Sequence, residues 1–444
     1  MAKPMKVTDL TVKDIRFPTT IQGDGTDAIN VPDYSCAYVT IHTDTDTKGF
    51  GITFTCGKGN EIVCFAVKAY KKLVIGRKLD DIFNDFAGFW GQLAHEPQLR
   101  WLGPEKGTTH LALAAIINAL WDLWARMEGK PLWKLVVDMT PEQIVSTIPF
   151  KHITDCLTKE EAIAILKEGQ AGKVEREKEL AASGYPSYTT SAGWMGYSDE
   201  KIKGLAQEAL EEGFTRFKVK VGYNFEDDMR RVKLLREIIG PDKMLATDAN
   251  QNWDVTEAIE WMKPMEKFKI TWIEEPTSPD DVLGHKAISE ALKPYGIGVA
   301  TGEHCQNRVV FKQFLQHGAL QFAQIDSCRM GGPNEILAVY LMAKKLGIPV
   351  CPHAGGVGLC ELVNHLQMID YCIISKTMEN RVIEYVDHLH EHFENPVILK
   401  RSNYLLPKAP GYSTKMKEES LDDWKYPEGK EWEKLFAEGK FQRD

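Results

Sequence analysis

Residues 243–276 read KMLATDANQNWDVTEAIEWMKPMEKFKITWIEEP, and this stretch decides the fold class. Two short β-prone runs, Lys243–Asp248 and Ile270–Glu275, lie on either side of Val255–Phe268, which has the apolar spacing of a helix. Strands that are joined by helical crossovers pair in parallel and are covered by helices. Each run ends in an acidic residue, at the position where such folds carry their chemistry.

The same unit repeats through the second half of the chain. From about residue 185, β-prone runs alternate with helix-compatible segments such as Phe225–Ile239 and Asn334–Leu346, and Tyr188–Ser191 could supply a further strand. The runs are Arg216–Val221, Lys243–Asp248, Ile270–Glu275, Gly298–Glu303, Leu320–Asp326, Pro349–His353 and Val382–Val386. Because so many units fit a closed barrel better than an open sheet, we predict an α/β fold, a modified TIM-type (β/α) barrel.

The residues outside the repeats predict an N-terminal α+β capping domain and a C-terminal extension. The capping domain contains β-prone runs and one strongly apolar helix, at Val7–Ile15, Ala37–His42, Gly49–Cys56 and Thr109–Met127. The predicted boundaries are 1–145 for the capping domain, 146–394 for the barrel, and 395–444 for the extension packed on them. The segment Gly23–Asp27 is either a hairpin connection or a lid over a site.

Composition excludes several classes of protein. The 444-residue chain has a formal net charge of −9, which gives no electrostatic basis for binding nucleic acid. The apolar region Leu111–Ala125 contains Asn118 and Asp122, so it is too short and too polar to span a membrane. Nine cysteines without a CxxC pair indicate a reducing compartment. We expect a cytoplasmic protein, and the N-terminal residues leave a mitochondrial location open.

Ionisable side chains recur at the ends of the predicted strands. They are Lys218, Lys220, Asp248, Glu274, Glu303, Asp326, His353 and Glu384, with Asn250 close behind Asp248. The carboxyl ends of barrel strands form one mouth, so these side chains should converge there. Three of the carboxylates, Asp248, Glu274 and Glu303, would repel each other unless a cation neutralised them, and Mg²⁺ prefers such oxygen ligands. The alternative is that each carboxylate forms a separate salt bridge at the rim.

The two lysines and the histidine predict proton transfer. Lys218 and Lys220 are two residues apart on one strand, so both face the same side, and each should lower the pKa of the other. That would make a general base, whereas an exposed edge strand would only carry solvated lysines. Asp326 and His353 end adjacent strands, so the carboxylate could orient the imidazole.

Together these residues predict abstraction of a proton next to a carboxylate. The carboxylate and the 2-hydroxyl of a sugar acid would chelate Mg²⁺ while Lys220 takes the C2 proton. Protonated His353 would assist departure of the 3-hydroxyl, and the enol would tautomerise to a 2-keto-3-deoxy acid. Two alternatives stay open: a racemase or epimerase that uses Lys220 and His353 on opposite faces of C2, and a catalytically silent scaffold.

Longer segments around these residues resemble a known family. They include FKVKVG at 217–222, DANQNWD at 248–254, WIEEPTSPDD at 272–281, TGEHCQNRVVFKQ at 301–313, IDSCRMGG at 325–332 and CPHAGGVGLCELV at 351–363. With further segments between Asp14 and Phe393, they resemble the mandelate racemase branch of the enolase superfamily, and within it the L-fuconate dehydratase family.

The resemblance implies a capping domain over a modified barrel that has one helix fewer than strands, and a homo-oligomer. It implies Mg²⁺ held by Asp248, Glu274 and Glu303, with dehydration of L-fuconate to 2-dehydro-3-deoxy-L-fuconate. Lys220 becomes the base and His353 the acid, with Asp326 as orienting partner. Lys218 would tune Lys220 and contact the substrate carboxylate. The residues implied to contact the small-molecule acid sugar are Gly25, Thr26, Asp27, Tyr34, Lys218, Lys220, Asn250, Glu303, His353 and Glu384.

Two motifs resemble metal-binding or phosphate-binding runs but are interpreted differently. The tract His388–His392 resembles a metal-binding run, but its place at the end of the last repeat favours a structural or surface role. The glycine-rich Gly355–Gly358 could cradle a phosphate, yet a close backbone approach at the barrel mouth, with contact to the substrate through backbone groups, fits better. We interpret Cys351 and Cys360, which flank His353, as packing residues.

Overall fold

A computed structural model describes residues 5–21 and 33–443 of the chain. The strands are β1 (Val7–Arg16), β2 (Ser35–Thr43), β3 (Lys48–Thr55), β4 (Tyr185–Thr189), β5 (Arg216–Lys220), β6 (Met244–Asp248), β7 (Ile270–Glu274), β8 (Gly298–Thr301), β9 (Phe322–Ala323), β10 (Ile383–Tyr385), β11 (Leu399–Lys400) and β12 (Asn403–Tyr404). The proposed substrate contacts Gly25, Thr26 and Asp27 lie outside the described residues.

The helices surround the barrel and complete the capping domain. They are α1 (Asn60–Ala69), α2 (Lys71–Val74), α3 (Leu79–Asn84), α4 (Phe86–Ala94), α5 (Pro97–Leu102), α6 (Gly107–Met127), α7 (Leu132–Asp138), α8 (Pro141–Ser146), α9 (Lys159–Gln170), α10 (Lys173–Ser183), α11 (Asp199–Glu211), α12 (Phe225–Ile239), α13 (Val255–Met262), α14 (Val282–Leu292), α15 (Arg308–Gln316), α16 (Pro333–Leu346), α17 (Leu359–Ile369), α18 (Glu418–Trp424) and α19 (Lys430–Ala437). Short 3₁₀ turns lie at Thr19–Ile21, Lys263–Phe268, Lys293–Tyr295 and His390–His392, and a π-helical turn at Asp370–Ile374 continues α17. None of the helices in the described ranges combines the length and the apolar character needed to cross a membrane.

The capping sheet is antiparallel, in the order β1-β2-β3, and confirms the strands predicted there. The buried helix α6 packs directly on it. A Cβ atom at Gly51 would lie 2.2 Å from the carbonyl oxygen of Ala115, so only glycine allows the strand and the helix to approach this closely.

The parallel strands form a closed ring. β4 to β9 pair in chain order, and β10 pairs with β4. Residues 349–353 fill the gap between β9 and β10: Val350 forms a bridge to Ala323, and the amide of Glu384 donates to the carbonyl of Pro352 at 3.4 Å. The ring therefore has eight strand positions, which are β4 to β9, residues 349–353 and β10. Seven helices, α11 to α17, follow the first seven of these positions, which confirms the modified (β/α) barrel.

Two predicted strands are wrong in extent. Leu320–Asp326 shrinks to the two residues of β9, and Pro349–His353 forms only an isolated bridge. Pro349 and Pro352 have no amide hydrogen, so a regular ladder of backbone hydrogen bonds cannot form along residues 349–353. The backbone nevertheless stays extended beside its neighbour, because the amide of His353 donates to the carbonyl of Ile325 at 3.0 Å.

The C-terminal segment contacts both of the larger parts. The Tyr412 amide donates to Asp122 in α6 at 2.6 Å, and the Trp432 indole donates to the carbonyl of Arg16 in β1 at 3.0 Å. Strand β12 pairs antiparallel with β4 of the barrel. The exact domain boundaries at 145 and 394 stay predictions.

Candidate active site

The barrel register brings the predicted ionisable side chains together. Lys220 pairs in register with Asp248 across β5 and β6, and Asp248 pairs with Glu274 across β6 and β7. Residues at equivalent heights on neighbouring parallel strands point to the same side, so these three side chains enter the mouth as one layer. All three are buried.

Three carboxylates form a cluster that could hold one cation. One oxygen from each of Asp248, Glu274 and Glu303 lies within 4.8 Å of the other two. Burial, and then the nearby Asp248 carboxylate, raise the pKa of Glu274 to about 8. The buried Oε2 of Glu303 accepts no hydrogen bond within the described part of the chain. Crowded, buried and partly unsatisfied oxygens are the donor set that a hard divalent ion such as Mg²⁺ fits.

Lys218 is an ion-pair hub rather than a lysine of low pKa. Its Nζ lies 2.7 Å from Glu274, 2.8 Å from Glu384 and 3.4 Å from Asp248. Burial would lower the pKa of Lys218, but Glu274 and Glu384 outweigh that effect and raise it well above the ordinary value. The prediction that the two lysines lower each other's pKa is therefore wrong for Lys218, because carboxylates from three other strands surround it.

Lys220 lines a cavity at the mouth of the barrel, which Lys218 does not line. The Nζ of Lys220 donates to Asp248 at 2.6 Å and to Asn250 at 3.0 Å. Asn250 and Gln251 have φ values of 44° and 68°, so the chain turns sharply after β6. This turn directs the Asn250 side chain back to Lys220.

His353 is held by the predicted partner. Its Nδ1 lies 2.7 Å from Asp326, whose other oxygen accepts from the amides of Cys328 and Arg329, both at 2.7 Å. The Nε2 atom lies 3.5 Å from Glu303. Burial would lower the pKa of His353, but Glu303 and Asp326 outweigh it and raise the pKa to about 9. These neighbours favour the protonated imidazole, the form that a general acid requires.

Glu384 closes the site on the side of the last strand. It accepts from the Ala354 amide at 2.9 Å and from the Thr190 hydroxyl at 3.2 Å, in addition to pairing with Lys218. Burial would raise the pKa of Glu384, but Lys218 and His353 lower it to about 2. Glu384 is therefore an anion that holds Lys218 in place.

One cavity is lined by many of these groups, namely Lys220, Asn250, Glu303, Asp326, His353 and Glu384, and it extends to the capping domain. Of the capping-domain residues predicted to contact the substrate, Tyr34 lies in the described ranges, and it lines this cavity together with Lys220, Asn250 and His353. Several other lining residues were not predicted from the sequence: Phe54, Cys56, Leu111, Trp194, His304 and Arg329. Gly355, from the glycine run predicted to approach closely at the barrel mouth, also lines the cavity. Only His304 had a usable signal, since it directly follows a strand-end carboxylate.

His304 adds a second imidazole beside the carboxylate cluster. Its Nδ1 lies 3.0 Å from Glu275 and 3.3 Å from Glu303. Burial would lower the pKa of His304, but Glu275 and Glu303 raise it to about 10. It therefore partly neutralises the side of Glu303 that faces away from His353.

Comparison with known proteins identifies the family. Residues 201–420 match the family described as enolase C-terminal domain-like. The chain is 60% identical over 433 residues to mitochondrial enolase superfamily member 1 of Homo sapiens, covering 97% of this chain and 98% of that protein. The chain belongs to the enolase superfamily. It is also 52% identical over 425 residues to L-galactonate dehydratase of Hypocrea jecorina, covering 95% and 94% of the two chains.

Solved structures of superfamily members have the same fold. The crystal structure of the human mitochondrial enolase superfamily member 1 matches with a TM-score of 0.96 at 60% identity, over 97% of this chain and 99% of that one. L-talarate dehydratase from Polaromonas sp. JS666, complexed with Mg and L-glucarate, matches with a TM-score of 0.71 at 21% identity, over 95% and 97%. The second likeness concerns the fold alone.

Gln324 orients one carboxylate of this enolase-superfamily site. Its Nε2 donates to Oε2 of Glu274 at 2.7 Å, and the Trp272 indole donates to the same oxygen at 3.2 Å. We expect Gln324→Leu to weaken Mg²⁺ binding about 10- to 100-fold, because the carboxylate loses its fixed orientation. Calorimetric Mg²⁺ titration measures this directly, with exposed Gln316→Leu as the matched control. Equal affinity in both variants would contradict the role of Gln324.

The tract His388–His392 is structural in this superfamily member, as predicted. His390 lies 2.8 Å from Glu361 through Nδ1 and 2.8 Å from the Val386 carbonyl through Nε2, and His392 stacks on Phe17. These contacts tie the end of the last repeat to α17 and to the capping domain.

The His390–Glu361 pair predicts a pH-dependent stability. Burial would lower the pKa of His390, but Glu361 raises it to about 9. Because the pKa is higher in the folded state, the stabilisation is complete below about pH 6.5 and disappears as the pH rises through about 9. We expect the difference in Tm between the wild type and His390→Gln to be largest near pH 6 and to shrink towards pH 9.5. A difference that stays constant over this range would refute the contribution of the charged pair.

Proposed function

We propose that this superfamily member is a Mg²⁺-dependent acid-sugar dehydratase. The observation that carries the proposal is one cavity lined by Lys220, the Asp326–His353 pair and Glu303 of the carboxylate cluster. A base, an acid and a cation site around one cavity suit the removal of a C2 proton and a 3-hydroxyl from a sugar acid.

Each residue has a defined task in this proposal. Asp248, Glu274 and Glu303 would hold Mg²⁺, which when bound polarises the substrate carboxylate and offsets the negative charge that develops on it. Lys220 removes the C2 proton, and Asn250 fixes the position of its Nζ. His353 delivers a proton to the departing 3-hydroxyl, while Asp326 keeps the ring oriented.

We propose sugar acids of the L-galacto configuration as substrates, L-fuconate first among them. L-Fuconate is 6-deoxy-L-galactonate, so the two acids have the same stereochemistry from C2 to C5. The 52% identity with L-galactonate dehydratase supports this configuration, and the segments that resemble the L-fuconate dehydratase family support the 6-deoxy acid. The reducing compartment and the homo-oligomer stay predictions.

A product assay tests the function. The purified chain with Mg²⁺ is incubated separately with L-fuconate, L-galactonate and galactarate, and the 2-keto-3-deoxy acid is trapped with semicarbazide. We expect product from L-fuconate and L-galactonate, and its complete loss with excess chelator. Recovery of a C2 epimer without keto acid would establish the epimerase instead. Turnover of galactarate alone would refute the L-galacto assignment but not dehydration.

A further inference from the structure

A second cavity lies at the end of the barrel opposite the catalytic mouth, and its wall is basic. It measures about 420 Å³ and lies where β5, β6 and β10 begin. Its lining includes the cationic residues Arg216, Lys243, Lys269 and Arg381, against one acidic residue, Asp242. A local excess of cations is notable in a chain whose net charge is −9.

Arg216 is a partly buried cation without an acidic partner. One of its terminal nitrogens donates to the Thr215 hydroxyl at 3.2 Å, and it forms no ion pair with any residue in 5–21 or 33–443. Burial lowers the pKa of the Arg216 guanidinium. Removing a guanidinium from water without an anion costs free energy, which a bound anion would offset.

Two of the other three cations of this cavity also have no ion-pair partner in the described ranges. Lys243 donates to the backbone carbonyl of Ile239 at 3.2 Å and, like exposed Lys269, forms no ion pair within the described ranges. Arg381 differs from these lysines: its Nε, which donates no hydrogen bond in the described ranges, forms an ion pair with Asp370 at 3.5 Å, and a terminal nitrogen donates to the Glu379 carbonyl at 3.0 Å. The cationic side chains that line this cavity therefore outnumber the carboxylates that line it.

The cavity also reaches the barrel interior. The buried Trp272 lines it and packs against Phe322, with ring centroids 4.9 Å apart. Through its indole N–H, the same Trp272 donates to Glu274 of the carboxylate cluster. An anion in the cavity would therefore lie beside a tryptophan that contacts the catalytic end.

We propose that this cavity is an oxyanion site that takes either inorganic phosphate or a small polycarboxylate, with Arg216 and Lys243 as its principal ligands. Both ligands present several negatively charged oxygens, which a fork of guanidinium donors and a mobile ammonium group bind well. The site is independent of the proposed dehydratase function, because it shares no residue with the catalytic cavity.

Calorimetry on the full chain tests this site. The metal-free protein is titrated with inorganic phosphate and, in a separate arm, with citrate at matched ionic strength. We expect saturable binding of at least one of the two anions. The anion that binds more tightly identifies which kind of ligand, phosphate or polycarboxylate, the cavity takes. Arg216→Gln should weaken binding about tenfold, which corresponds to the loss of one charge-assisted hydrogen bond. Lys243→Gln should weaken it by a smaller factor.

Two further variants separate this site from other anion binding. The exposed Lys263→Gln serves as a charge-matched control and should bind like the wild type. Lys220→Ala should also bind like the wild type, because the catalytic cavity is not the site measured. Circular dichroism checks the fold, and if Arg216→Gln does not fold then Lys243→Gln decides. No saturable binding in either arm, or unchanged affinity in the variant that decides, would overturn the proposal.

Discussion

Lys220→Ala should lower kcat for acid-sugar dehydration by about 10³- to 10⁴-fold, while the fold persists. Lys220 is the lysine that lines the catalytic cavity, whereas Lys218 lies deeper and is fixed by Glu274 and Glu384. Among the described residues that line this cavity, Lys220 is the lysine, and its Nζ lies 2.6 Å from Asp248 of the carboxylate cluster, so its removal takes away the proposed acceptor of the C2 proton.

Steady-state assays of the keto-acid product measure this loss, and circular dichroism with a thermal melt measures the fold. Lys233→Ala on α12 is the matched control, because that lysine is exposed and forms only a loose pair with Glu237 at 3.8 Å. A Mg²⁺ titration of Lys220→Ala separates the loss of a base from the loss of the metal. If dehydration continued at more than about one tenth of the wild-type rate, Lys220 would not be the base.

The sequence predicts best those elements whose ends are marked locally. Helix α12 has the predicted bounds, Phe225–Ile239, because both of its ends are marked by neighbouring residues. The Asn224 side chain accepts from the Asp227 amide at 2.9 Å, and Gly240 ends the helix with a φ of 83°. Such markers need no knowledge of the tertiary structure.

Elements without local markers were harder to predict. Residues 349–353 have the composition of a strand, but whether they pair with β9 depends on the position of β9. That position is set by the closure of the whole barrel. The prolines of this segment lower the number of backbone amide donors without changing the apolar pattern, so periodicity alone overestimates the length of the strand.

The candidate site divides in the same way. The phase of the repeat placed Asp248, Glu274 and Glu303 at neighbouring strand ends, and the parallel register brings them together. The charge state of Lys218 could not be predicted, because it depends on Glu384, which is distant in sequence but 2.8 Å away in the fold. Residues such as Gln324 have no charge pattern, so their role appears only from their contacts.

The two roles in the proposed mechanism can be separated by their different proton transfers. Lys220 and His353 line the same cavity but have different partners, Asp248 and Asn250 for the lysine and Asp326 for the imidazole. Exchange of the C2 proton with solvent requires only the base. Loss of the 3-hydroxyl also requires the acid.

His353→Asn should therefore lower dehydration by about 10³-fold while exchange of the C2 proton with deuterium persists. The asparagine amide can still donate to Asp326, so the local hydrogen bond and the fold are retained. NMR of the substrate in deuterium oxide follows the exchange, the keto-acid assay follows dehydration, and the exposed His317→Asn is the control. If exchange and dehydration fell by the same factor, His353 would act at C2 as well, as in an epimerase. Because Lys220→Ala should abolish both signals, the pair of variants assigns the base and the acid to different side chains of one cavity.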